Sequence, residues 1–298
     1  MQHRPLGSSG LEVSAISYGC MSLPPDQSLS SQLLHRACDL GINFFDTADL
    51  YQKGFNEQML GHAFKDRRQQ LLIATKVGNQ WRSDGSGWDW NPTKAYILQA
   101  VEQSLRRLQT DYIDLYQLHG GTIDDPMDES IEAFEQLKAK GWIRAYGISS
   151  IRPNVIRAYA AKSQLSSVMM QYSLLDRRPE ESCLALLEEK NIGVIVRGGI
   201  AKGLLGHKAA KEYLSHTAEE VGRIQKRLGQ LSVEERSPAQ TALRFALAQS
   251  AVSTVATGAS RVEQLEENAA TLSSPELTKE EWKALRELSP AHVYQKHR

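Results

Sequence analysis

A (β/α)8 TIM barrel is the α/β fold that this 298-residue sequence predicts, on three observations. Eight short apolar runs alternate with stretches of helical periodicity. Strands flanked by helices over and over mean a parallel sheet, because a parallel crossover needs a dozen or more residues. Eight such units fit the length of a closed barrel, roughly 250 residues. The rival, a doubly wound sheet, usually announces itself by G-x-G-x-x-G after its first strand. That motif is missing here, as are a P-loop and G-x-S-x-G. No linker or low-complexity tract divides the chain, so residues 1–298 are expected to form one domain.

The elements follow in order. "HRPLGSSGLEVS" reads as an N-terminal β-hairpin around a Gly-Ser turn. The eight strand runs are "AISYG" (15–19), "NFFD" (43–46), "LLIATK" (71–76), "YIDLYQLH" (112–119), "IRAYGIS" (143–149), "SVMMQY" (167–172), "IGVIVR" (192–197) and "VSTVATG" (252–258). Helices are expected near 29–40, 56–65, 93–108, 127–140, 153–162, 180–190, 238–249 and 261–271. The helix over 93–108 shows the period best, with Ile97, Val101, Leu105 and Leu108 on one face and Thr93 near its start. Two segments exceed the eight-fold plan. A polar helical insert is expected at about 208–230, and a further helix at about 275–288.

Composition excludes several function classes. Lys plus Arg number 35 and Asp plus Glu number 35, a balance that implies no nucleic-acid or membrane-surface partner. No long apolar span or signal-peptide core is present. Cys20, Cys38 and Cys183 form no C-x-x-C, which makes a reducing cytoplasm the expected compartment.

Chemistry in such a barrel sits at the C-terminal ends of its strands. The polar residues closing the apolar runs are Asp46, Lys76, His119, Ser149, Gln171 and Arg197, and Gly258 opens the last loop. Tyr51 stands five residues past Asp46. A phenol titrates near 10, and an ammonium beside it lowers that value. Lys76 is expected to supply the ammonium, Asp46 to hold it, and His119 to hydrogen-bond a reacting oxygen. Such a set protonates an oxygen on which negative charge builds, as carbonyl reduction by hydride requires. Trp81, Trp88 and Trp90 crowd a Gly/Ser-rich loop, 78–93, beside Lys76, and Trp81 and Trp88 are expected to join Tyr51 and His119 as an apolar substrate wall.

These segments resemble the aldo-keto reductases over nearly the whole chain. "FFDTADLY" resembles the family segment with the catalytic Asp and Tyr, "IATKVG" that with the Lys, and "DLYQLHG" that with the His. "AYGISS" and "MMQYSLLDR" resemble the strands that hold the nicotinamide carboxamide, and "GASRVEQLEEN" the loop and helix that hold the adenosine end. The resemblance implies a metal-free site with NADPH across the barrel mouth. The catalytic set would be Asp46, Tyr51, Lys76 and His119. Ser149, Ser150 and Gln171 would hold the carboxamide. Gly258, Ser260, Arg261, Gln264, Glu267 and Asn268 would hold the adenosine and its 2′-phosphate. Asp46, Gly19, Cys20 and Met21 would line the cofactor from the first two strands, and Arg197, Gly198, Ile200 and Lys208 from the seventh strand and the turn after it. Residues 260–264 are expected to open a helix, whose free N–H groups favour an anion.

Two positions depart from the family pattern. Ser150 stands where Asn is common, and Arg197 where an aromatic commonly stacks on the nicotinamide. A planar guanidinium also stacks, and its charge would oppose the oxidised ring. Two other readings compete. Metal-assisted hydrolysis would need ligands that eight histidines without an H-x-H pair do not offer, and Lys76 would compete with a cation held by Asp46 and Asp49. An NADPH-binding sensor or regulatory subunit of the same fold, with little turnover, is compatible with the same residues. The expected partner is a small-molecule carbonyl compound; the sequence identifies no protein partner.

Overall fold

The computed structural model describes residues 1–298. Its first strands, β1 (His3–Pro5) and β2 (Glu12–Ser14), pair antiparallel as the expected hairpin. Then come β3 (Ile16–Gly19), α1 (Gln27–Asp39), β4 (Phe44–Asp46), α2 (Phe55–Phe64) and β5 (Leu72–Val77). A short antiparallel pair, β6 (Asn79–Trp81) and β7 (Trp88–Trp90), precedes α3 (Lys94–Leu108). The series continues through β8 (Ile113–Leu118), α4 (Met127–Ala139), β9 (Ile143–Ser149), α5 (Pro153–Lys162), β10 (Ser167–Gln171) and α6 (Cys183–Glu189). It ends with β11 (Gly193–Arg197), α7 (Ala218–Leu231), α8 (Pro238–Leu247), β12 (Val252–Thr257), α9 (Val262–Ala270) and α10 (Lys279–Leu288). Strands β3, β4, β5, β8, β9, β10, β11 and β12 pair in that order, all parallel, and β12 closes on β3. They are the eight runs read from the sequence.

Helix starts follow their caps. Asp26 accepts from the Leu29 N–H, so α1 begins two residues ahead of the expected 29. Thr93 caps α3, and capping boxes Thr217–Glu220, Ser237–Gln240 and Thr278–Glu281 open α7, α8 and α10.

Two expectations are corrected. The insert at 208–230 is helical only from Ala218; residues 208–217 form an irregular strap in which Tyr213 and His216 exchange both backbone hydrogen bonds. The capping box at Thr217 fixes where the helix can begin. The loop 78–93 is in part the β6–β7 hairpin, with Trp81 opposite Trp88 and Asn79 opposite Trp90. All three tryptophans therefore share one hairpin face, because side chains alternate along a strand.

The same alternation orients the barrel. A small interior cluster contains Phe44, Ala74, Leu115, Ala145, Met169 and Ile195, one from each of six strands. Leu6, Leu11 and Val13 of the N-terminal hairpin join it and plug the floor. The larger cluster, with Phe45, Tyr116 and Val196, lies between strands and helices. Two residues beyond each interior position, the side chain points inward again, at the opposite end of the barrel from the plug. This parity carries Asp46, Lys76, Gln117, Gly147, Gln171 and Arg197 to the mouth. None of the helices is long and apolar enough to cross a membrane.

Candidate active site

Lys76 is the centre of the mouth. It is fully buried, and its Nζ donates to Asp46 Oδ2 at 2.6 Å and to the Thr47 carbonyl at 2.7 Å. It lies 3.4 Å from the Tyr51 hydroxyl. Gln117 Nε2 donates to the other Asp46 oxygen at 3.2 Å. The carboxylate is thus occupied on both sides and aims the ammonium at the phenol. Burial pulls the Lys76 ammonium down, but Asp46 and then Tyr51 outweigh it, and its pKa is raised. Lysine remains charged at neutral pH.

Tyr51 shows the opposite balance. Burial pushes its phenol up, and Lys76 recovers only part of that shift, so the net direction is upward. The expectation that the ammonium would lower the phenol below its ordinary value is overturned. A sequence shows which charges are near; it does not show how little water remains. Tyr51 therefore holds its proton firmly at neutral pH.

The backbone that presents Tyr51 is unusual. Gln52 and Lys53 both adopt left-handed conformations, followed by Gly54 at φ 85°. Only glycine fits at 54, where a Cβ would stand 2.8 Å from Arg107 Cδ. Two left-handed non-glycine residues in succession cost roughly 1–3 kcal/mol each. The surroundings hold them: Gln52 donates to the Leu23 carbonyl, and Arg107 Nε pairs at 2.6 Å with Glu57, a buried residue that also accepts from Thr75, next to Lys76.

His119 faces the phenol from β8, its ring centroid 5.9 Å from that of Tyr51 and nearly perpendicular to it. Its Nδ1 is buried without a hydrogen-bond partner. Burial, then Lys76 and Arg197, lower its pKa to about 3, so the imidazole is neutral. Asp49, the second aspartate of the motif, is also buried, and desolvation and then Glu57 push its carboxyl well up.

The nicotinamide-end candidates lie on consecutive strands. Ser149 ends β9, half-buried; Gln171 ends β10; Arg197 ends β11, exposed. Gln171 Oε1 accepts from Arg197 at 3.0 Å, while Nε2 donates to Asp176 at 3.0 Å and to Tyr213 at 3.2 Å. Ser150 is buried, and its hydroxyl accepts from the Arg152 N–H, turned into the loop. Cys20 is fully buried beneath Gly19, whereas Met21 is 69% exposed. Past β11, Gly198 turns at φ 72° and Ile200 is half-buried. Lys208 is exposed and lies alongside Gly203.

The adenosine-end candidates gather where β12 meets α9. Helix α9 begins at Val262, with Arg261 extended at its N-cap, exposed and without a side-chain cap bond. The Ser260 N–H donates to Gln264 Oε1 at 3.1 Å. Glu267 accepts from Ser237 at 2.8 Å and lies 3.1 Å from His207. Gly258 packs so closely that a Cβ would meet Ser22 Oγ at 2.7 Å, and Asn268 Nδ2 lies 3.5 Å from its carbonyl.

Trp81 lies under Lys53, whose Nζ is 5.1 Å from its ring, and Trp88 is 46% exposed. Trp90 does something else. It covers Gly78, where a Cβ would stand 2.5 Å from the indole, and donates to Asp125. Sequence reading missed Gln117, Asp176 and Tyr213. Strand parity with Leu115 could have found Gln117; nothing local marks Tyr213, which arrives from the strap.

A family model described as the aldo/keto reductase family matches residues 15–290. An uncharacterized oxidoreductase, YqkF, of Bacillus subtilis is 50% identical, with all of both chains covered. The aldo-keto reductase yakc [NADP(+)] of Schizosaccharomyces pombe is 31% identical over 86% of this chain and 83% of its own. Among solved structures, the holo form of aldo-keto reductase AKR11C1 from Bacillus halodurans matches with a TM-score of 0.95 at 50% identity, covering 100% of this chain and 99% of that one. The apo form of the same protein matches at 0.88.

Proposed function

This chain belongs to the aldo-keto reductase family, and we propose that it reduces aldehydes or ketones to alcohols with NADPH, Tyr51 giving the proton. The family and the barrel imply an oxidoreductase that uses a nicotinamide cofactor. When bound, that cofactor supplies hydride to the carbonyl carbon. Everything else falls to this chain's own residues.

The observation that carries the reading is Lys76 Nζ held between Asp46 at 2.6 Å and Tyr51 at 3.4 Å. As negative charge builds on a carbonyl oxygen, Tyr51 transfers its proton to it and Lys76 stabilises the phenolate left behind. Asp46, doubly bonded, keeps that ammonium from turning away. His119, neutral, directs a hydrogen bond at the same oxygen without competing as an acid. A phenol raised by burial is a firm proton holder in the ground state and yields only to a stronger base, the forming alkoxide. Trp81 and Trp88 would wall the substrate.

The residues suit the cofactor. Gln171 keeps one acceptor lone pair unspent, and the Ser149 side-chain hydroxyl is bonded to no protein group. Arg261 stands exposed at the start of α9, where unsatisfied N–H groups and the helix dipole favour an anion. That supports the 2′-phosphate of NADPH, as does the NADP(+) in the name of the fission-yeast relative. All three cysteines are free thiols, in keeping with a cytoplasmic setting. Incubation with NADPH and a panel of aldehydes and ketones tests the reading. Cofactor oxidation dependent on carbonyl is the expected result; bound NADPH with no turnover on any member would favour a sensor instead.

A further inference from the structure

Gln171 has already spent its amide. Its two N–H donors go to Asp176 Oδ2 and to the Tyr213 hydroxyl, and one lone pair of Oε1 takes Arg197. A carboxylate on one side and a guanidinium on the other fix which end is nitrogen. What remains is a single acceptor lone pair. A nicotinamide carboxamide presents both an NH2 and a C=O. Gln171 can accept from the NH2 but has no proton left for the carbonyl.

A free donor stands beside Gln171. Tyr213 accepts from Gln171 Nε2 at 3.2 Å, and its own hydroxyl proton has no acceptor on the protein. The residue is 8% exposed although it belongs to a strap without helix or barrel strand. One direct contact and two neighbouring ones fix it. It exchanges two backbone hydrogen bonds of 3.0 Å with His216, across Leu214 at φ 54°. The His216 ring packs edge-on against His292 of the C-terminal tail, 4.8 Å between centroids. Asp176, which orients Gln171, is itself gripped by Arg178 at 2.7 Å. Burial and then Asp176 push the Tyr213 phenol up, which keeps it a donor.

We propose that Tyr213 is a positioning residue for the cofactor, its hydroxyl donating to the nicotinamide carboxamide oxygen while Gln171 accepts from the carboxamide nitrogen. The inference rests on the reductase reading above and deepens it: the strap adds a second free hydroxyl donor, beside Gln171, to the one that Ser149 offers at the end of β9. It also gives Arg197 a second role, since its bond to Gln171 leaves the amide nitrogen facing Asp176 and Tyr213.

The test is binding, which does not depend on turnover. Dissociation constants for NADPH and for 2′-phospho-ADP-ribose, which lacks the nicotinamide, are measured by fluorescence titration on wild type and Tyr213→Phe. Loss of one neutral hydrogen bond corresponds to about fivefold weaker binding. NADPH should weaken about fivefold and 2′-phospho-ADP-ribose should not change. Equal weakening of both would leave Tyr213 a structural residue of the strap, and no change in either would remove it from the site; each overturns the inference. The reductase reading fails by a different route, wild-type protein that binds NADPH and reduces no carbonyl.

Discussion

The Lys76 ammonium lies 3.4 Å from the Tyr51 phenol, yet the phenol titrates above its ordinary value. Burial acts on the phenolate more strongly than the single nearby cation, because Lys76 already shares its charge with Asp46 at 2.6 Å. The pair is therefore an acid held in reserve. In the proposed mechanism its proton leaves only when charge appears on a carbonyl oxygen between Tyr51 and His119.

The buried ion pair should be costly to break. Asp46→Asn keeps the shape but leaves the Lys76 ammonium with neutral partners. Removing one member of a buried pair costs about 3–5 kcal/mol. Urea unfolding should show a lower midpoint with an unchanged slope. A loss below about 1 kcal/mol would mean that Lys76 sheds its proton in the folded state, against its raised pKa.

His119 makes stability depend on pH in a defined window. An unfolded histidine titrates near 6.5, and the folded His119 near 3. Between those values the unfolded chain binds a proton that the folded chain refuses. The contribution is complete above pH 6.5 and is lost as pH falls toward 3. From pH 7 to pH 5 this one group costs about 2 kcal/mol. Wild type should lose that much more than His119→Gln in urea unfolding over the same interval. Equal losses would place the folded pKa near its ordinary value.

Arg197 should bias the redox state of the bound cofactor. Its exposed guanidinium, held by Gln171 at 3.0 Å, brings positive charge to the proposed nicotinamide end. Arg197→Trp removes the repulsion toward an oxidised ring and should tighten NADP+ several-fold relative to NADPH. Parallel titrations with the two forms read the ratio, and an unchanged ratio would rule the effect out.

The tryptophan hairpin should act on substrate binding alone. Trp88 is half-exposed on the face shared with Trp81. Trp88→Ala should raise KM several-fold for bulky apolar aldehydes and leave kcat unchanged. A fall in kcat with KM constant would move the residue into the chemistry.

Much of this site was legible because strand parity is. Phe44 lies in the barrel interior, so Asp46 must point inward at the next turn of the pleat; Ala74 and Lys76, Met169 and Gln171, Ile195 and Arg197 repeat the relation. What escaped depended on distance. Tyr213 is 42 positions from Gln171, and no local pattern brings it there. The strap 208–217 read as helix because it is polar and flanks one, whereas the Thr217 cap sets the true start. The direction of the Tyr51 pKa was missed for a third reason: charges are written in a sequence and desolvation is not.

Tyr51→Phe tests the central claim most directly. It removes one hydroxyl and keeps the ring against His119. With NADPH and a reducible aldehyde, the variant should lose about 10²–10⁴-fold in kcat, the range for a general acid, while its NADPH dissociation constant stays within about twofold of wild type. A variant that reduced the aldehyde at the wild-type rate would show that the proton comes from elsewhere.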